Sequence, residues 1–321
     1  MEHIHFARRS LLVGVGAFAA THAFAQGSRA VRIVVPGPAG SAMDALARGI
    51  SVPFGKAVGH SVVVDNLPGA GGTLATAQVA RSAADGFTLE IVSSNHVINP
   101  SIFKTLPYNT IDDFSAVAIV GVIPMVLAVS PKLGVRDVKE LVALAKARPG
   151  QLNYGSLGIG TVLHLAGELL ASEAGIAITH VPYKDAGGAT TDLASGQIDM
   201  AFLGLPTVAG LAKAGKIQAL AVTTVQRSAA MPQVPSIAET LPGYALDAWI
   251  GLIGPKGIPA ETLERYFQAV GAALEDPATR EAIAAQGLTP TLLGPAKARA
   301  YLVEDLRKSA ELVRRAGVVA Q

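Results

Sequence analysis

Val31-Arg-Ile-Val-Val35 runs without a break into Pro36-Gly-Pro-Ala-Gly-Ser41, and a helix opens directly after it. Four of the five leading residues are β-branched, the mark of a strand covered on both faces. Glycine and proline end the strand, and a hydroxyl residue stands where the helix begins. A strand feeding straight into a helix through a short Gly-rich loop is the building unit of a parallel sheet flanked by helices.

The unit recurs. Residues 61–64, 89–93, 125–129, 178–181, 199–202 and 217–222 read as further buried strands. Between them lie helical periods. Val138, Leu141, Val142 and Ala145 fall on one face, with Asp137 and Glu140 spaced as a capping box and Arg148-Pro149-Gly150 as the stop. Val162, Leu165 and Leu169 mark another helix, closed by Gly175. The chain ends in consecutive helices over 261–274, 277–285 and 295–316, with no strong strand between them. The last puts Leu302, Leu306, Ala310 and Val313 on one face and the pairs Glu304–Lys308 and Glu311–Arg315 on the wet side. The expected fold is α/β in two lobes, each a mostly parallel sheet flanked by helices. The strand at 125–129 starts a second strand–helix series, so the lobes interleave: 26–123 with 246–321, and 124–245.

Composition narrows the function. The chain has 321 residues, half of them hydrophobic, with 34 Gly and no Cys. Without cysteine there is no thiolate zinc site, iron–sulfur cluster or thiol nucleophile. Arg8-Arg9, an apolar stretch over 11–20 and Ala23-Phe24-Ala25 before Gln26 form a three-part secretory leader. The Arg pair leaves the Sec and twin-arginine routes both open. The expected mature protein starts near Gln26 in a bacterial periplasm. Losing Arg8, Arg9 and Glu2 from 26 basic and 24 acidic residues leaves a net charge of +1. So near-neutral a chain carries no electrostatic footprint for nucleic acid or an anionic membrane.

Five loops at strand ends carry the chemistry: 36–41, 66–73, 94–96, 155–161 and 182–188. In open α/β sheets ligands bind beyond the carboxyl ends of the strands, where Gly admits close approach and the next helix offers unpaired N–H groups. Each loop alone also reads as a tight turn, but five in two series point to an anion-binding cleft. No enzyme motif survives inspection. Gly210 to Ile217 has Walker spacing, yet Ile217 stands where Ser or Thr must bind magnesium. Gly69-x-Gly71 lacks the third Gly of a dinucleotide fingerprint, and no G-x-S-x-G elbow exists. His60, His96, His164 and His180 are scattered without metal-ligand spacing. No cofactor and no metal are expected. Ser156 with His164 would make the nucleophile and base of a secreted hydrolase, the alternative from a different class. Lys184 either neutralises a ligand or is a surface lysine, and Trp249 reads as core.

Several segments together resemble the extracytoplasmic receptors of the tripartite tricarboxylate transporter family, the Bug or TctC proteins. They are Ile33 to Arg48, Val62 to Gly72, Asp85-Gly86-Phe87-Thr88-Leu89, Leu152 to Ser156, His164-Leu165, His180 to Lys184, and Ala221-Val222 through Arg227 to Pro235. The resemblance implies a two-lobed binding protein that closes on a small carboxylate, held largely by backbone N–H groups, hydroxyls and water. Carried across, the ligand-facing residues are Gly40, Ser41, Ser94 and Asn95 in lobe one, and Ser156, Thr161, His164 and Lys184 in lobe two. The chain departs from the family pattern at Leu203, where Asp is frequent, and at Asp185, where Gly is common. Leu203 is expected to form an apolar cleft wall that disfavours a ligand ammonium, with Asp185 capping the next helix or solvated. The implied protein is a monomer that docks on a membrane transporter; a sensor subunit for a signalling kinase would share its chemistry.

Overall fold

The computed structural model describes residues 29–246 and 248–320, so the expected leader lies outside the described residues. Its first sheet centres on β1 (Val31–Val35), parallel to both β2 (Val62–Asn66) and β3 (Thr88–Ser93). Beyond β3 come β10 (Ala248–Pro255), β4 (Phe114–Ile123) and β11 (Thr289–Leu293), each antiparallel to its neighbour, in the order β11-β4-β10-β3-β1-β2. The second sheet joins the parallel strands β7 (Thr179–Pro182), β6 (Asn153–Ser156) and β8 (Met200–Gly204) to β5 (Met125–Val129), which runs antiparallel to β8 and to β9 (Gln218–Val222).

Both sheets are thus mixed, not mostly parallel as expected, and connectivity explains why. The chain leaves the first sheet along β4 into β5 and returns along β9 into β10. Outgoing and returning strands pair with each other in both sheets, so they must be antiparallel. The two crossings are also tied together: the Met125 N–H donates to Thr223 Oγ1 at 3.3 Å, and the Thr223 N–H to the Met125 carbonyl at 3.0 Å. β11 stands between the last helices where no strand was expected. It lies at the sheet edge, carries Pro290 and exposes Thr289, Pro290 and Thr291, so no apolar alternation marks it.

Side-chain alternation fills both faces. Val31, Ile33 and Val35 pack with Leu46, Ile50 and Phe54 of α1 (Ala42–Val58) and with residues of α8 (Ala260–Glu275) and α9 (Pro277–Ala285). Val34 points the other way, among residues of α2 (Thr73–Ala80), α3 (Asn95–Ile102) and α10 (Pro295–Arg315). Trp249 is wholly buried there, its indole N–H donating to Asp305 Oδ2 at 2.7 Å. In the second lobe Met125, Leu127 and Val129 face α4 (Val138–Ala147) and α5 (Val162–Ala174), while Val126 and Ala128 face α6 (Ala186–Ser195) and α7 (Leu205–Lys213).

α10 does not stay on one lobe. Near its end Val313 packs with Ile98 and Ile102 of α3 and Leu165 of α5. Arg315, expected to pair with Glu311, instead reaches Glu173 Oε1 at 2.8 Å and Ser172 Oγ at 2.6 Å on α5, and Glu311 takes Arg314. Burying Val313 brings the last turn against α5, and the charges follow the packing.

One buried group makes the fold pH-sensitive. Glu90 of β3 is 0% exposed; Oε1 accepts the Thr76 hydroxyl at 2.8 Å and Oε2 has no partner among the described residues. Burial pushes its carboxyl up to about 8 from an ordinary 4.5, the Thr76 bond opposing only in part. The folded state therefore holds a proton that the unfolded chain releases above about 4.5, and stability falls as pH rises from there to about 8. Glu90→Gln is expected to flatten that part of the profile and to be more stable than wild type at pH 8.5, by the order of a few kcal/mol. Thermal unfolding at pH 5 and pH 8.5 checks it; an unchanged pH slope in the variant would refute it.

Candidate functional site

The loop after β1 is built around the start of α1. Gly40 turns the chain with φ +82°, and Ser41 caps the helix by accepting the Asp44 N–H at 3.3 Å. In return Asp44 Oδ2 accepts the Gly40 N–H at 2.9 Å. This is a capping box whose acceptor reaches one residue further back than usual. Asp44 is held in turn by Arg48 Nε, 3.0 Å from each carboxylate oxygen, and by Asn66 Nδ2 at 3.0 Å. Asn66 also donates to the Gly37 carbonyl, closing the loop onto the end of β2. Burial opposes the Asp44 charge, but the bonds from Arg48, Gly40 and Asn66 together outweigh it and hold the carboxyl below its ordinary value.

The loop after β6 repeats the device. Gly160 turns with φ +76°, Thr161 Oγ1 accepts the His164 N–H at 3.3 Å, and His164 Nδ1 accepts the Gly160 N–H at 3.1 Å. Gly-Ser-x-x-Asp in one lobe corresponds to Gly-Thr-x-x-His in the other. The first-turn amides of Ala42 and Met43, and of Val162 and Leu163, are not drawn into these caps, and a helix supplies no internal partner for amides at such positions. A helix beginning with spare amides and a partial positive charge is an anion-binding element. Here there is one per lobe, each in its lobe's first Gly-rich loop.

Beneath the second loop lies a partly buried polar cluster. Ser156 Oγ is 2.7 Å from His180 Nε2, and the His180 ring lies 4.1 Å from that of His164. Burial and then the neighbouring His164 pull His180 down to about 4; burial also lowers His164. Both rings are neutral at pH 7. Glu168 Oε1 sits 3.7 Å from His164 Nε2 and accepts the Tyr154 hydroxyl at 2.6 Å.

The expected residues divide. Gly40, Ser41, Thr161 and His164 form the two caps. Thr161 also donates its hydroxyl to the Gly158 carbonyl at 2.8 Å, so the oxygen expected to meet a ligand serves the loop. Ser94 is 3% exposed and accepts the Trp249 N–H at 2.9 Å, pinning α3 to β10. Asn95 opens α3, its Oδ1 buried without a partner among the described residues. Lys184 is exposed, and Asp185 caps α6 by accepting the Gly188 N–H at 2.9 Å. Two expectations are corrected. Leu203 is 0% exposed inside the core with Val126, Leu193 and Val208, because its place in β8 points toward α6 and α7; it is no cleft wall. Ser156 does not pair with His164, since the register of β6 against β7 brings His180 to it, and it is fully buried. Asp44, Arg48, Asn66, His180 and Glu168 were not singled out. Asp44 stands three residues after Ser41 in the sequence, the spacing of a capping box, and was legible there. The lobes touch near this site: a Cβ on Gly160 would lie 2.8 Å from Ile102 at the end of α3.

Residues 46–318 match the family described as tripartite tricarboxylate transporter family receptor, TctC. The chain is 33% identical to protein BugT of Bordetella pertussis over 317 residues, covering 96% of this chain and 97% of that protein. Among solved structures it is similar to R. palustris Rpa4515 with adipate, at 31% identity and TM-score 0.81, over 92% of this chain and all of that one. It is also similar to MatC from Rhodopseudomonas palustris with bound malate, at 28% identity and TM-score 0.74, over 89% and 99%.

The caps make a stability prediction. Thr161→Ala removes the acceptor of the His164 N–H and is expected to cost about 1 kcal/mol, while Thr161→Ser retains the oxygen and most of the stability. Denaturant unfolding of the pair checks it. Equal loss in both would show that the methyl group, not the hydroxyl, is what the fold uses.

Proposed function

This chain belongs to the tripartite tricarboxylate transporter receptor family, and we propose that it captures a small organic dicarboxylate between its lobes and delivers it to a membrane transporter. The observation that carries this reading is the matched pair of capped helix starts, one at Gly40-Ser41 and one at Gly160-Thr161. Two amide clusters, one per lobe, suit a ligand with an anionic group at each end. Arg48, on the first start's own helix, is already spent on Asp44 and Asn66. Recognition therefore falls to amide dipoles, which hold carboxylates without burying a guanidinium.

Around these amides the ligand-facing set is Gly40, Ser41, Ser94 and Asn95 with Ser156, Thr161, His164 and Lys184. In this reading Ser94, Ser156 and Thr161 act chiefly by shaping the loops, and the buried Oδ1 of Asn95 is the polar atom still in want of a donor. The lobes, 26–123 with 246–321 and 124–245, close about the two crossings tied by Met125 and Thr223. The protein acts in the periplasm as a monomer, after cleavage near Ala25, and docks in its loaded form. The malate and adipate of its structural neighbours are both short dicarboxylates, and that supports the substrate class.

Calorimetric titration with adipate and with malate tests the reading; saturable binding of at least one is expected, and no binding across a panel of two- to six-carbon dicarboxylates would refute it. Gly160→Ala adds a Cβ to a left-handed residue and pushes it against Ile102. It is expected to weaken binding at least tenfold, about 1.4 kcal/mol, and unchanged affinity would place the anion away from α5.

A further inference from the structure

The two caps differ in one respect that sequence spacing hides. In lobe one the acceptor of the Gly40 N–H is a carboxylate fixed by Arg48 and Asn66. In lobe two the acceptor of the Gly160 N–H is an imidazole, a group that can change from acceptor to donor. An amide N–H is always a donor, so His164 Nδ1 must carry the lone pair and its proton must sit on Nε2, the nitrogen facing Glu168.

We propose that His164 is a proton-operated positioning residue of the carboxylate site: a proton taken up at Nδ1 when the anion arrives releases the Gly160 N–H toward the ligand. This rests on the reading that α5 receives a carboxylate. The proton comes from solvent. The product is an imidazolium with Nε2–H toward Glu168, and an amide freed from its internal bond. The surroundings are arranged for that state. Glu168 waits on the same helix, one turn on, its Oε1 oriented by the Tyr154 hydroxyl of β6. From β7 the group facing His164 is His180, which is committed to Ser156 Oγ; two rings whose centroids lie 4.1 Å apart do not both hold a charge. From lobe one the contact on the loop is apolar, Ile102 against Gly160, and Leu165 beside His164 meets Ile98 and Val313. Among the described residues, Glu168, His180 and Tyr154 are thus the titratable groups that meet the ring. Burial keeps His164 unprotonated in the empty protein at neutral pH, so the change is coupled to the anion.

His164→Asn isolates the proton, because an Asn Oδ1 occupies the place of Nδ1 and accepts the Gly160 N–H but does not titrate. Adipate is titrated calorimetrically at pH 6.5 in two buffers of different ionisation enthalpy. Wild type is expected to take up a fraction of a proton per ligand, and its affinity to fall up to about tenfold per pH unit between pH 6 and 8. His164→Asn is expected to take up none and to show a flat profile. Binding by wild type without proton uptake overturns the proposal, and so does uptake that persists in His164→Asn. Failure of wild type to bind either adipate or malate overturns instead the underlying reading of the cleft. Should the variant not fold, NMR titration of the His164 imidazole in wild type decides: adipate must raise its protonation at pH 6.5, and an unmoved titration overturns the proposal.

Discussion

An amide at the threshold of a helix has no partner within the helix, and this chain solves that problem twice in the same way. Gly40 and Gly160 each donate to the side chain four residues on, and Ser41 and Thr161 each accept from that residue's own amide. These bonds hold the first turns of α1 and α5 in place after β1 and β6. Without them each would be an ordinary solvated helix end.

The local chemistry of the boxes is alike while their supports differ. In lobe one the acceptor is embraced by Arg48 and by Asn66 from the neighbouring strand, so the loop is tied to the sheet by charge. In lobe two the acceptor rests on a second imidazole and a hydroxyl. The first support is rigid and permanently ionised. The second is an imidazole able to change its hydrogen-bonding sense, with Glu168 at its other nitrogen.

Much of this was legible in the residues. The central strands at 31–35 and 125–129 have their boundaries in the structure because they are buried on both faces, and burial on both faces is written as an unbroken apolar run. β4 and β10 were not read as strands. β4 runs up to Pro124 and β5 begins just beyond it, so one apolar stretch conceals two elements, and β10 is interrupted by Gly251 and Gly254. The site was legible as loops but not as contacts. Ser156 and His180 are 24 residues apart, and only the register of two parallel strands makes them partners. Leu203 shows the converse error: its chemistry was read correctly as apolar, but which side of β8 it occupies depends on the sheet.

The last helix has a mechanical meaning. α10 is 21 residues, about 30 Å from end to end at 1.5 Å per residue. Its near end is seated against Trp249 through Tyr301, while its far end rests on α5 through Val313 and Arg315. Such a rod spans the two lobes. If the near end is the fulcrum, a tilt of about five degrees moves the far end by roughly 2–3 Å over that length. That is enough to slide Val313 off Leu165. The apolar seat has no preferred direction and resists only by area, and the half-exposed Arg315–Glu173 pair adds little. Were the lobes to part, the grip of a few aliphatic side chains next to His164 would be among the contacts to give way, and the length of the carboxyl-terminal helix would scale the movement there.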